Sequence, residues 1–161
     1  MREVITKVFT YDELSDQAKE RAYLDWVHQG GDEWHWVDEW REALKGFADL
    51  TNIRLRDYEL DSYGYWFSAE YPDIEHGNVI EYQPKDCPFS GTTFDEDFLH
   101  PLREWVSKKT DADYLDVLKD CLDTGFRNAQ SDIEWHSGKE CFIERCEFDG
   151  YEFTEDGMVW R

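Results

Sequence analysis

No stretch of this 161-residue chain approaches the ~18 consecutive apolar residues of a membrane-spanning helix. The opening Met1-Arg2-Glu3-Val4-Ile5-Thr6-Lys7 lacks the apolar run of a secretory leader. The chain is therefore expected in the cytoplasm, with its four cysteines, Cys87, Cys121, Cys141 and Cys146, as reduced thiols. Catalytic signatures are missing too. Gly30-Gly31 is not followed by the Lys-Ser or Lys-Thr of a phosphate loop, and no serine sits in a nucleophile elbow. Glu33-Trp34-His35 has no second histidine at helical spacing, and His28, His76 and His100 have no recognisable partner. Basic residues are scarce, 17 Lys+Arg against 38 Asp+Glu, for a formal net charge of -21. Such a surface repels nucleic acid and anionic membranes. No enzyme activity, no cofactor, no direct nucleic-acid binding and no membrane association is expected.

What the chain does have is rings. Phe, Trp and Tyr make up 17% of it, whereas disordered acidic chains lack the apolar surface to fold. A folded body with an anionic skin follows, read as a single domain over residues 1–161. The charge grows along the chain. It is -4 over residues 1–56 (8 basic, 12 acidic), -8 over 57–110 (4 and 12) and -9 over 111–161 (5 and 14). Spread over the ~8,500 Å² such a chain should expose, that is about one net charge per 400 Å². Duplex DNA carries about one per 100 Å², so imitation of DNA requires the carboxylates to be concentrated on one face.

Val4, Thr6 and Val8 alternate as a short opening strand. Ser15 is placed to cap a first helix in which Ala18, Ala22 and Trp26 recur every four residues to about His28. Asp32 is placed to cap a second helix to about Leu50. Its core side carries Trp36, Val37, Trp40, Ala43, Leu44 and Phe47, and its wet side Asp38, Glu42, Lys45 and Asp49. Ile53 and Leu55 alternate, then Tyr58 and Leu60 do so in shifted phase, which predicts a bulge near Arg56-Asp57. Ser62-Tyr63-Gly64 reads as the turn into a strand through Tyr65, Phe67, Ala69 and Tyr71, with a further strand around Val79 to Tyr82.

Thr93 with Glu96 has capping-box spacing for a helix through Phe98, Leu102 and Trp105, in which Pro101 imposes a kink or a later start. Thr110 with Asp113 caps the next helix, which buries Leu115, Leu118, Leu122 and Phe126. Ser137 with Glu140 opens a short helix carrying Cys141, Ile143 and Cys146, ended by Asp149-Gly150. Tyr151 and Phe153 alternate before the turn Glu155-Asp156-Gly157, and a closing strand spans Met158 to Trp160. The fold class is α+β, a small antiparallel β-sheet with helices packed on one side.

Asp113, Asp116, Asp120 and Asp123 fall within about 80° of one another at ~100° per residue, opposite Leu115, Leu118 and Leu122. At ~1.5 Å per residue they offer four carboxylates over about 15 Å, a spacing suited to Lys and Arg side chains that hold phosphates. Only Lys119 and Arg127 stand near enough in sequence to neutralise them. The plain alternative is an ordinary solvated face. Glu152, Glu155 and Asp156 form a second acidic group, and Trp34, Trp66 and Tyr63 are candidate exposed rings that would anchor a partner, against the plainer reading that they fill the core. His136, Cys141 and Cys146, with Cys121 or Cys87, lack the close cysteine pairs of structural zinc motifs. No metal is expected, because buried free thiols are common.

Two stretches carry a resemblance. The run from Thr10 to Ala22, Thr-Tyr-Asp-Glu-Leu-Ser-Asp-Gln-Ala-Lys-Glu-Arg-Ala, is similar to the opening of a family of small acidic phage and prophage proteins. Tyr151-Glu152-Phe153-Thr154-Glu155-Asp156-Gly157 resembles that family's closing motif. The match covers the two ends of the chain, and Asp61-Ser62-Tyr63-Gly64-Tyr65-Trp66 departs from the family's Gly-rich turn. The resemblance implies a phage accessory protein in an infected bacterial host and supplies no catalytic residue. With the charge, it predicts an acidic inhibitor of a basic, nucleic-acid-handling host protein such as a defence nuclease complex, acting by DNA mimicry. The alternative is an antitoxin-like or regulatory module that recognises one partner by shape.

Overall fold

The computed structural model describes residues 6–32, 36–73, 86–108 and 111–160. Val4, Trp34, Thr110 and the strand expected around Val79 to Tyr82 lie outside them. The described residues form an α+β fold: helices α1 (Asp16–His28), α2 (Val37–Thr51), α3 (Thr93–Lys108), α4 (Tyr114–His136) and α5 (Lys139–Asp149), with one antiparallel hairpin, β1 (Arg54–Leu60) and β2 (Tyr65–Glu70). None of these helices is long and apolar enough to cross a membrane. The chain divides into two compact units, His35–Ile133 and Met1–Trp34 with Glu134–Arg161, so that His136 belongs to the second.

The first unit is built on aromatic packing. One side of α2 buries Trp40, Ala43, Leu44 and Phe47, against Phe98, Leu99 and Leu102 of α3 and Leu118, Leu122 and Phe126 of α4. Phe126 is the hub: Trp40, Tyr58, Tyr65 and Phe67 all bring ring centroids within 4.8–5.9 Å of it. The hairpin alternates as its sequence requires, with Leu55, Tyr58, Leu60, Tyr65, Phe67 and Ala69 against this core and Arg54, Arg56, Glu59, Trp66 and Glu70 outward. The register slips between Leu55 and Asp57, a bulge where the phase change placed it. The turn is held by Asp61, whose Oδ1 accepts the backbone N–H of Tyr63 (2.7 Å) and Gly64 (3.0 Å).

The second unit packs Tyr11, Leu14, Ala18 and Ala22 against Phe142, Cys146 and Phe153. Ser15 caps α1 through an Oγ that accepts the Ala18 N–H at 3.2 Å. Gly157, at φ +85°, lets the C-terminal turn approach α1 so closely that a Cβ there would meet the Ala18 carbonyl at 2.2 Å.

Several expectations are corrected. Among the described residues the opening strand is represented by a bridge of Phe9 with Phe153, and the closing strand is reduced to a bridge of Phe153 with Val159. Asp32 does not cap α2, which starts at Val37 after Trp36, because its carboxylate is drawn into an ion pair with Arg145. Thr93 lies inside α3. The turn before that helix is organised by Asp95 instead, fully buried and accepting the N–H groups of Phe89, Ser90 and Gly91 and the Ser90 hydroxyl at 2.6–3.2 Å. Pro101 sits within α3, which starts no later on its account. Gly138, not Ser137, stands at the N-cap of α5, and the Ser137 carbonyl accepts the Tyr23 hydroxyl at 2.9 Å.

Candidate interaction surfaces and a polar cluster

In the first unit α4 carries the acidic stripe on its outer face. Asp113, Asp116 and Asp120 are exposed, and Asp123 is half-buried. Asp113 also starts the helix: its Oδ1 accepts the Leu115 N–H at 3.3 Å and its carbonyl the Val117 N–H at 3.1 Å. Asp123 is held at both oxygens, accepting the Tyr65 hydroxyl at 2.6 Å and facing Arg127 at 3.6 Å. Burial first, and then this hydrogen bond, push the Tyr65 hydroxyl above its ordinary pKa. Lys119 stands 3.9 Å from Asp116 and lies over the Tyr71 ring. Among the described residues no ion pair reaches Asp113 or Asp120.

The ring candidates are placed differently. Tyr63, at the hairpin tip, is 95% exposed and offers its whole ring. Trp66 is half-exposed on the outer hairpin face, tied by Nε1 to Glu59 across the strands at 2.8 Å. Its neighbours Arg56 and Glu70 pair with one another, so that face carries mixed charge.

In the second unit the acidic group at the C-terminal turn is only partly available. Asp156 accepts from Arg21 at 2.8 Å and from the Thr154 hydroxyl at 2.5 Å. The Thr154 bond chiefly holds its carboxyl below the ordinary range. Glu155 is exposed, whereas Glu152 is half-buried, its carbonyl accepting the Trp160 N–H at 2.7 Å.

Two features escaped the sequence reading. Glu140, Glu144 and Glu147 are exposed on α5, next to Phe148, which is 85% exposed. The i, i+4, i+7 spacing of these glutamates sets them in a stripe along one side of α5. The other feature is a polar cluster. Asp32 Oδ1 meets Arg145 at 2.7 Å and Oδ2 meets His136 Nδ1 at 2.9 Å, with Cys141 beside them. Burial alone would raise the Asp32 carboxyl, but the bonds and charges of Arg145 and His136 outweigh it and hold it below the ordinary range. Burial, and then the Asp32 charge, push the Cys141 thiol up. The cluster draws on the loop after α1, the end of α4 and two turns of α5, so no local spacing announces it.

No protein-family model, characterised protein or solved structure matches the chain.

Proposed function

We propose that the protein is an acidic inhibitor that binds a basic, nucleic-acid-handling protein, its carboxylates occupying Lys and Arg positions that otherwise hold phosphates. The observation that carries this reading is how the cations are used. Among the described residues Arg21, Arg41, Lys45, Arg56, Arg103, Lys108, Lys119, Arg127, Lys139 and Arg145 each already face a carboxylate of the chain. Acids outnumber bases 38 to 17, and among the described residues α4 presents exposed carboxylates as a row. The partner class follows from charge, and a host defence nuclease fits it. The resemblance at the two ends of the chain favours a phage origin.

The test is capture of a partner from bacterial lysate, then elution by salt and by duplex DNA. Both should release it, because contacts between exposed charges are screened over ~8 Å in physiological salt and DNA competes for the same cationic site. Reversing Asp116 and Asp120 to Lys should abolish capture while leaving the circular dichroism spectrum unchanged. Undiminished capture by that variant sinks the reading. The exposure of Tyr63 and Trp66 supports recognition by shape as a second reading. In that case binding withstands salt and is lost on Tyr63→Ala or Trp66→Ala.

A further inference from the structure

We propose that Asp32, His136 and Cys141 form a binding site for a zinc-like divalent ion, a property separate from the charge-based reading above. One ligand atom from each, a carboxylate oxygen, an imidazole nitrogen and a thiol sulfur, lies within 4.8 Å of the other two. Tetrahedral zinc, with bonds of about 2.0–2.3 Å, holds its ligand atoms roughly 3.3–3.8 Å apart. Closing this triangle therefore takes a shift of about an ångström, within the reach of side-chain rotation. The donor set selects the ion: nitrogen and sulfur suit zinc or cobalt, whereas magnesium and calcium take oxygen.

The surroundings fit the same assignment. The Asp32 side chain is 14% exposed, His136 26%, and Cys141 is buried, so the site is sheltered without being sealed. Its open side is a cavity of about 560 Å³, walled by Trp135, Glu144, Glu147 and Phe148, with room for a water as fourth ligand. Trp135 packs edge-on against the His136 ring at 4.9 Å and limits its swing. Arg145 holds the far oxygen of Asp32, as outer hydrogen bonds orient ligating carboxylates. Its positive charge opposes a cation, and the Cys141 thiolate with Glu144 and Glu147 on the wall offsets it. The ion displaces the hydrogen-bond proton between His136 Nδ1 and Asp32 Oδ2, which passes to water, and the imidazole binds through Nδ1 as the neutral tautomer protonated at Nε2. The thiol proton of Cys141 leaves to water through the cavity as the metal–sulfur bond forms.

The test uses the full chain, reduced, stripped with chelator and carrying Cys87→Ser to remove the half-buried thiol. Titration with cobalt(II) should give a thiolate-to-cobalt charge-transfer band and four-coordinate d–d bands that saturate at one equivalent and are bleached by zinc. Cys146→Ser, on α5 but packed in the core, should keep these bands. Cys141→Ser should lose the sulfur band, and Asp32→Asn should weaken cobalt binding by about tenfold or more. Absence of a sulfur band in the Cys87→Ser chain overturns the site whatever the other variants do. So does a band that survives Cys141→Ser. In either case the three groups are an ion-paired clamp and no more.

Discussion

Gly125 shows how tightly single residues are specified. A Cβ there would lie 2.1–2.5 Å from the Phe98 ring, which is fully buried between α3 and α4. The ring has nowhere to go, since Phe47 stacks on it at 5.7 Å and Trp40 lies beside it at 6.3 Å. Alanine would ordinarily favour a helix by about 1 kcal/mol over glycine. At this position overpacking of about 1–3 kcal/mol opposes it. Gly125→Ala should therefore lower the urea midpoint, and a neutral or stabilised variant would mean that the helices part easily.

Asp97 gives a pH-dependent case. Burial pushes its carboxyl up. The Asn128 amide donating to it at 2.9 Å offsets part of that, and Asp132 and Glu96 raise it further. A carboxyl that is harder to ionise in the folded state binds its proton more tightly there. Stability is thus lost as pH rises through the window above the unfolded value. Asp97→Asn keeps an acceptor for Asn128 and removes that loss. The variant should be more stable than the parent at about pH 7, with the gap closing below the ordinary carboxylate pKa of ~3.9. Equal urea melts at neutral pH would refute this.

At the scale of elements, the hairpin depends on Phe126. Truncation to alanine should cost about 3–5 kcal/mol, because four ring contacts vanish together. Near-ultraviolet circular dichroism should show β1 and β2 loosening before α2 melts; coincident loss of both would place the hairpin within one cooperative unit. Elements whose periodicity is long and one-sided were legible from the chain: α1, the core side of α2, the Leu118/Leu122/Phe126 face of α4, and the bulge at Arg56-Asp57. Apart from α1, which Ser15 caps as its sequence places it, starts of helices were not. Asp32, Thr93 and Ser137 each had the chemistry and spacing of a cap, yet Asp32 is taken by Arg145 and His136, and Asp95 gathers the N–H groups of the turn before α3. A cap competes with every tertiary partner the side chain can reach, and spacing records only the local ones. The same limit hid the Asp32–His136–Cys141 cluster, whose members are up to 109 positions apart. The stripe on α4 needed only the 3.6-residue period. Its engagement at Asp123 needed Tyr65 from another element.

For the whole molecule, charge sets two opposing responses to salt. Each surface ion pair contributes only ~0–1 kcal/mol and weakens when screened. The net charge of -21 repels itself throughout the folded state, and most described cations are already paired, so counterions are what remains to relieve it. Like-charge repulsion should prevail. The melting temperature should climb as sodium chloride rises from about 10 mM, where the Debye length is ~30 Å, towards about 0.5 M. Partner binding should fall over the same range, because screening that relaxes repulsion within the protein also dims its attraction for a cationic groove. The two curves, taken on one preparation, form a single test. If stability falls with salt, the ion pairs outweigh the surplus charge, and the carboxylates of α4 are too well compensated to act as phosphate mimics. If stability climbs while binding holds, the surplus is present but recognition runs through Tyr63 and Trp66. Only opposed slopes are consistent with carboxylates that destabilise their own fold and find their counter-charge on another protein.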